Sequence, residues 1–341
     1  MFLPNAWLAI HVQRVVRYLR IVAIAVFLAT APAAVPAVGQ DIAGTSDLWA
    51  AWSPVGNEIA FVRHQGGSGS SVYLVRSDGS GLRPLYASQG AAQGLVWSPN
   101  GLLIAFAEEV QVDGQTRMRI RTIRLRDRRV SKPISGYAPK WSPDGKKIAF
   151  VTADRLAILT RSTGRIRPVP LKAPTSFVRS PAWSPDGRRL AITTGGNRVA
   201  LVSVRGGDPK ILGLGRAPAW SRDGRWIAAA CIDSSRVTFF APERASRGCA
   251  DHAIHNTAHQ PQWAPRGQRV AFSVCVDPGG DCGIRTQQRG AAMAKRITRF
   301  GVYPSWSPDA RRLVFSSGRE RAELYLVNPD GTQLRALSIR R

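Results

Sequence analysis

Along most of the chain, apolar and polar residues alternate with a period of two, in runs too short for helices. In WSPDGKKIAF (141–150), Ile148 and Phe150 are placed on one face of a strand and Ala149 on the other. Ahead of that strand, Ser142-Pro143-Asp144-Gly145 fits a type I turn, with Pro pre-setting the second position and Gly closing it. A second apolar strand follows, as in VYLVRSDGSGL (72–82) and LYLVNPDGTQL (324–334), and another Asp-Gly turn leads to a fourth strand. Large residues on one face and a small one opposite suit a sheet packed between two others. Beyond the N-terminal segment no stretch has a helical period.

The unit recurs. AWSPVGNEIAF (51–61), VWSPNGLLIAF (96–106), KWSPDGKKIAF (140–150), AWSPDGRRLAI (182–192), AWSRDGRWIAA (219–229), QWAPRGQRVAF (262–272) and SWSPDARRLVF (305–315) align on Trp52, Trp97, Trp141, Trp183, Trp220, Trp263 and Trp306. Their spacings of 45, 44, 42, 37, 43 and 43 residues mark a radially repeated four-stranded unit. The expected fold is all-β, a seven-bladed β-propeller of four-stranded antiparallel blades spanning residues 38–341. Each blade is expected to be continuous in sequence, with RALS (335–338) as the last outer strand. The ring then closes by packing of the first blade on the last. A short strand from residues 40–48 joining the last blade is the alternative.

These repeats resemble the TolB-type propeller family, whose units carry W-S-P-D-G followed by an I-A-F-like strand. The likeness covers nearly all of the chain after the N-terminal segment, and the Gly-His and Trp-Asp signatures of true WD repeats are absent. TolB itself implies an additional N-terminal α/β domain, for which residues 38–51 leave no room.

The repeated turn reads as structure. Its third position is Val55, Asn100, Asp144, Asp186, Asp223, Arg266 and Asp309, which is not a cation-coordinating ring. Gly fills the fourth position in every unit but the last, as a backbone requirement demands. Function is expected where the copies differ. Four residues before each Trp stand Leu48, Gln93, Tyr137, Arg179, Arg216, His259 and Val302, with Tyr303 one position on. If these converge, Arg179, Arg216 and His259 form a cationic channel mouth, with Gln93 beside it and Tyr137 and Tyr303 as flat walls. Arginine forks suit carboxylate or phosphate, and aromatic walls suit sugar or base faces.

Other features add partners and a compartment. Arg14, Arg17 and Arg20, the apolar run IVAIAVFLAT (21–30) and the small residues up to Val35-Pro36-Ala37 read as a signal peptide over residues 1–37. An uncleaved anchor is the other reading, although Pro32 and Pro36 disfavour a spanning helix. Either way the remainder is expected outside the cytoplasm, periplasmic or secreted. Four Cys agree with an oxidising compartment. Cys275 and Cys282 flank a tight loop and are expected to pair, leaving Cys231 with Cys249. The net charge of +26 favours anionic partners or reflects arginine-rich codon usage; Arg supplies 41 of the 48 basic residues. The basic run RMRIRTIRLRDRR (117–129) reads as a strand with a charged face, a bulge being one way to account for its shift of apolar phase, and serves edge protection or polyanion contact.

His252, His255 and His259 cluster in DHAIHNTAHQ (251–260), and such density can hold a divalent metal. With a basic channel, this resembles propeller lyases that cut acidic oligouronides with a His-held metal. No G-x-S-x-G elbow or Gly-rich phosphate loop is present. The reading is therefore a non-enzymatic binding or scaffold propeller without a cofactor. It is expected to act as a monomer on an envelope protein or anionic polymer. Sequence-specific nucleic acid is not expected, and membrane contact comes only through an uncleaved N-terminal segment. The alternative is a metal-assisted lyase or hydrolase of an acidic polysaccharide.

Overall fold

The Ser142 hydroxyl organises the turn that opens the third unit. It donates to Asp144 Oδ1 (2.6 Å) and accepts from the Lys147 N–H (2.8 Å). The Gly145 N–H donates to the Ser142 carbonyl at 2.8 Å, with Gly145 at φ 67°. The computed structural model describes residues 45–65, 69–153, 155–172, 178–231, 235–249, 256–276, 282–318 and 322–339, and the signal-peptide reading lies outside them.

Seven antiparallel sheets follow one another along the chain. Blade 1 holds β1 (Ser46–Trp52), β2 (Glu58–His64), β3 (Ser70–Arg76) and β4 (Arg83–Ser88). Blade 2 holds β5 (Ala92–Trp97), β6 (Leu103–Val112), β7 (Gln115–Arg124) and β8 (Ile134–Ser135). Blade 3 holds β9 (Tyr137–Trp141), β10 (Lys147–Thr152), β11 (Arg155–Thr160) and β12 (Ile166–Pro168). Blade 4 holds β13 (Arg179–Trp183), β14 (Arg189–Thr194), β15 (Arg198–Ser203) and β16 (Lys210–Leu214). Blade 5 has only β17 (Arg216–Trp220), β18 (Ile227–Ala230) and β19 (Val237–Phe240) among the described residues. Blade 6 holds β20 (Asn256–Trp263), β21 (Arg269–Val276), β22 (Cys282–Gln288) and β23 (Lys295–Arg296). Blade 7 holds β24 (Val302–Trp306), β25 (Leu313–Ser316), β26 (Leu324–Val327) and β27 (Arg335–Ala336).

The first strand of each blade packs on the first strands of its neighbours, and β1 packs on β24, so these strands ring the axis. The period-two pattern becomes a core lying between blades. Ile148 and Phe150 pack with Leu103, Ala105 and Ile120 of blade 2. Ala149 and Val151 pack with Trp183, Leu190 and Ile192 of blade 4. Each joint has one such buried cluster, including the joint between blades 7 and 1, where Val314, Leu324 and Leu326 meet Ala50, Trp52, Ile59 and Phe61. Among the described residues no strand is exchanged there, and residues 40–44 of the alternative closing strand lie outside them. Closure is instead stitched by the Asp47 N–H to the Ala322 carbonyl (2.7 Å) and the Trp52 N–H to Ser305 Oγ (3.0 Å).

In five of the seven blades the indole of the repeated Trp ties the blade to the one before, whereas Trp52 Nε1 donates to the Gly56 carbonyl of its own turn at 3.1 Å. Trp97, Trp141, Trp183, Trp263 and Trp306 donate from Nε1 to the carbonyls of Ala51, Val96, Lys140, Ala219 and Gln262, at 2.8–3.1 Å. Trp220 departs in another way: its buried Nε1 has no partner among the described residues.

Two sequence expectations are corrected. The basic run forms β7, which pairs with β6 over ten residues without a bulge; the apolar phase changes because the strand is buried on both faces, Ile120 in the joint with blade 3 and Ile123 in the joint with blade 1. Nor is β7 the outermost strand, although β8 pairs only with Arg119 and Ile120. Arg121 of that run turns inward to Glu108, a buried carboxylate that also accepts from Tyr86 and Ser88 of blade 1. This network locks blade 1 to blade 2.

Candidate functional site

The four residues preceding each Trp hold a feature that the repeat alignment alone does not show. In all seven blades the first strand carries one extra residue relative to its partner, placed after Leu48, Gln93, Tyr137, Arg179, Arg216, His259 and Val302. The next residue is left-handed every time: Trp49, Gly94, Ala138, Ser180, Ala217, Gln260 and Tyr303 have φ between 46° and 64°. A non-glycine residue in that region costs about 1–2 kcal/mol. Because the strain recurs in every blade, it belongs to the architecture rather than to one site.

The bulge has a positional consequence. The W-S-P-D-G turns follow the C-terminal ends of the first strands and so lie on one face of the ring. The bulged N-terminal ends lie on the opposite face, with the loops that join the second and third strands of each blade. Gln93, Tyr137, Arg179, Arg216 and the His259 backbone thus take equivalent places around one rim of the axis, and Tyr303 follows one place along. Arg179 is exposed and Arg216 half-buried. Gln93 Nε2 lies 3.8 Å from Met118 Sδ, and Tyr137 packs against the cluster between blades 3 and 4. For His259 the strand position opposite Ser273 is described; His252 and His255 lie outside the described residues. Among those residues no group of three His, Cys, Asp or Glu is placed to hold a metal ion.

Tyr303 is less open than a free wall. Its ring stacks on Trp49 with centroids 3.9 Å apart and planes 21° apart, and burial pushes its phenol up to about 12. Sequence reasoning missed Trp49, although aligning the repeats one column further on sets it beside Tyr303. It also missed Lys140, which precedes Trp141. Lys140 is solvent-accessible, yet protein surrounds its amino group and lowers its pKa through desolvation.

The turn carboxylates, by contrast, are occupied. Ser184–Asp186, Ser221–Asp223 and Ser307–Asp309 repeat the bond of Ser142–Asp144, and Asn100 replaces the carboxylate opposite Ser98. The serine hydroxyl, followed by a backbone N–H in the same turn, holds Asp144, Asp186 and Asp223 below the usual carboxylate range.

The rim face is braced on one side by both disulfides. Cys275–Cys282 closes the β21–β22 hairpin. Cys231–Cys249 joins the end of β18 to the connection that follows blade 5.

Comparison with known proteins agrees with this architecture. The family model described as the anaphase-promoting complex subunit 4 WD40 domain matches residues 139–211. TolB from Acinetobacter baumannii superposes with a TM-score of 0.51 at 18% identity, over 87% of this chain and 64% of its own; the chain thus spans under two thirds of that protein. A putative TolB from Agrobacterium tumefaciens gives 0.51 at 20% identity, over 66% of this chain and 89% of its own. A chain of the mitotic checkpoint complex gives 0.59 at 14% identity, over 89% and 98%. No curated protein matches. At these identities the likeness establishes a TolB-like, WD40-like propeller fold.

Proposed function

We propose that this chain is an exported, non-enzymatic binding propeller that engages an envelope protein or anionic envelope polymer through the rim bearing Arg179, Arg216 and Tyr137. One observation carries the reading. Residues shared by the repeats are consumed in turns and blade joints, whereas the positions where the repeats differ gather around one rim. That rim presents Arg179, Arg216 and Tyr137, cations and aromatic surface suited to an anionic partner. Scaffold propellers with related folds, including the mitotic checkpoint complex chain, make protein association the natural use of such a face. The two disulfides support export, since such bonds persist outside the reducing cytoplasm.

The test is binding to an acidic polymer, polygalacturonate, by the whole chain and by an Arg179→Ala/Arg216→Ala variant. Loss of at least about tenfold in affinity and a shallower salt dependence are expected, as when two phosphate- or carboxylate-pairing cations are removed. Unchanged affinity and salt slope would overturn the polymer reading. Turnover of the polymer, with a stoichiometric transition metal lost on replacing His252, His255 and His259, would put the metal-assisted enzyme in its place.

A further inference from the structure

Among the described residues, blade 5 lacks the outer strand that the other six blades have. The described residues after the turn at its edge run elsewhere. The Ser246 N–H donates to the Leu212 carbonyl (2.8 Å), the Leu214 N–H to the Arg247 carbonyl (3.2 Å), and the Cys249 N–H to the Leu214 carbonyl (3.0 Å). Residues 246–249 therefore lie parallel to the edge of blade 4. Their close approach is built in: a Cβ at Gly248 would meet the Leu214 carbonyl oxygen at 2.2 Å, and one at Gly213 would meet that of Ser246 at 2.2 Å. The Cys231–Cys249 disulfide then anchors the diverted segment.

The diversion uncovers the outer edge of β19. Register aligns Phe239 with Ile158 of blade 3, which faces Arg167 of the outer strand β12. The ends of the edge are capped: the Val237 N–H donates to Gln287 Oε1 (3.2 Å), and the Ala241 carbonyl accepts from the Arg244 N–H (3.0 Å). Between them, the Phe239 N–H and carbonyl face outward with no strand beside them among the described residues. An open groove of about 550 Å³ lies along this edge, lined by Trp226, Phe239, Ala241, Arg244, Ala245 and Ser246.

We infer that this groove is a strand-addition site, where an acidic, extended peptide segment of a partner protein completes blade 5 as its fourth strand. Exposed sheet edges recruit extended peptides through main-chain hydrogen bonds, and flanking side chains set specificity. Here Trp226 and Phe239 supply apolar surface, and Arg289 of blade 6 lies over the Trp226 ring at 4.4 Å. Arg225 and Arg244 are exposed beside them. The nearby carboxylate, Glu243, is already paired with Arg189 at 2.8 Å. The local charge therefore favours an acidic occupant. The groove lies on the circumference of the ring, away from the rim proposed above.

The test titrates the full chain with the peptide Glu-Val-Glu-Val-Glu-Val-Glu and follows hydrogen exchange at the Phe239 amide. Saturable binding with slowed exchange at Phe239 is expected, and Arg244→Glu should weaken it by about tenfold, the loss typical of one favourable charged contact turned repulsive. An analogue N-methylated at alternate residues keeps the charge and loses the edge hydrogen bonds, so it should not bind. Equal binding by that analogue, or no protection at Phe239, would overturn the inference. So would a free protein that is already a dimer with Phe239 protected, which would assign the edge to a second copy. The Arg179→Ala/Arg216→Ala variant should bind the peptide normally, so failure here and failure at the rim are separable.

Discussion

Trp49 and Tyr303 stack face to face across the joint where the first blade meets the last, their ring centroids 3.9 Å apart. Both stand at the same position of the repeat and both are left-handed, at φ 58° and 57°. The bulge therefore does more than turn the strand, because at this joint it aims two aromatic rings at each other.

A double-mutant cycle on Trp49→Ala and Tyr303→Ala should show a coupling of about 1 kcal/mol in unfolding free energy, as offset-stacked pairs do. The Tyr303 phenol, pushed up to about 12 by burial, should ionise at lower pH in the Trp49→Ala variant. Strictly additive stability effects and an unmoved phenol titration would deny the pair a role in closing the ring.

Trp183 and Trp220 should respond differently to replacement by Phe. Trp183 Nε1 donates to the Lys140 carbonyl at 2.9 Å, whereas Trp220 Nε1 is buried without a partner among the described residues. Trp183→Phe should cost about 0.5–1.5 kcal/mol more than Trp220→Phe in chemical denaturation, because it removes a hydrogen bond between blades where Trp220→Phe removes none. Equal costs would mean that the indole bonds between blades add nothing.

Gly94 takes the bulge position of blade 2 at φ 64°, and an added Cβ would meet nothing within 4 Å. Gly94→Ala thus isolates the backbone term and should destabilise the protein by about 1 kcal/mol. The reciprocal change, Ala138→Gly, should be neutral or mildly stabilising. A stable Gly94→Ala protein would show that the bulge is less strained than its dihedral implies.

Glu109 sits half-buried in β6, and burial pushes its carboxyl up from 4.5 to about 7. A carboxyl whose pKa is higher folded than unfolded binds its proton more tightly in the folded state. Its contribution is full below about 4.5 and is lost as pH rises through about 7. Glu109→Gln should therefore flatten the fall in melting temperature over that window. A variant with the wild-type pH profile would assign the fall to other groups.

The blade count, the strand faces and the columns that ring the axis were readable because each rests on local, repeated chemistry. Ser142, Asp144 and Gly145 make their bonds within one turn, and the alternation of Ile148, Ala149 and Phe150 needs only a strand with a neighbour on each side. The missing strand of blade 5 was not readable, since VTFFAPERASRGCA begins like every other outer hairpin. Its departure depends on the edge of blade 4, on Gly213, and on a bond from Cys249 back to Cys231, all distant partners. Trp49 was overlooked for a related reason. Its meaning comes from Tyr303, 254 positions away in the chain and adjacent only after the ring has closed.

Among the described residues blades 1 and 7 trade no strand, and their joint has the same kind of packed cluster as the others without a connecting peptide. The order of blades along the chain is then independent of the ring they build. Linking β27 to β1 and opening the backbone between two other blades would yield a circular permutant with the same architecture. Whole blades likewise become units that recombination can exchange, each bringing its own pair of residues to the rim.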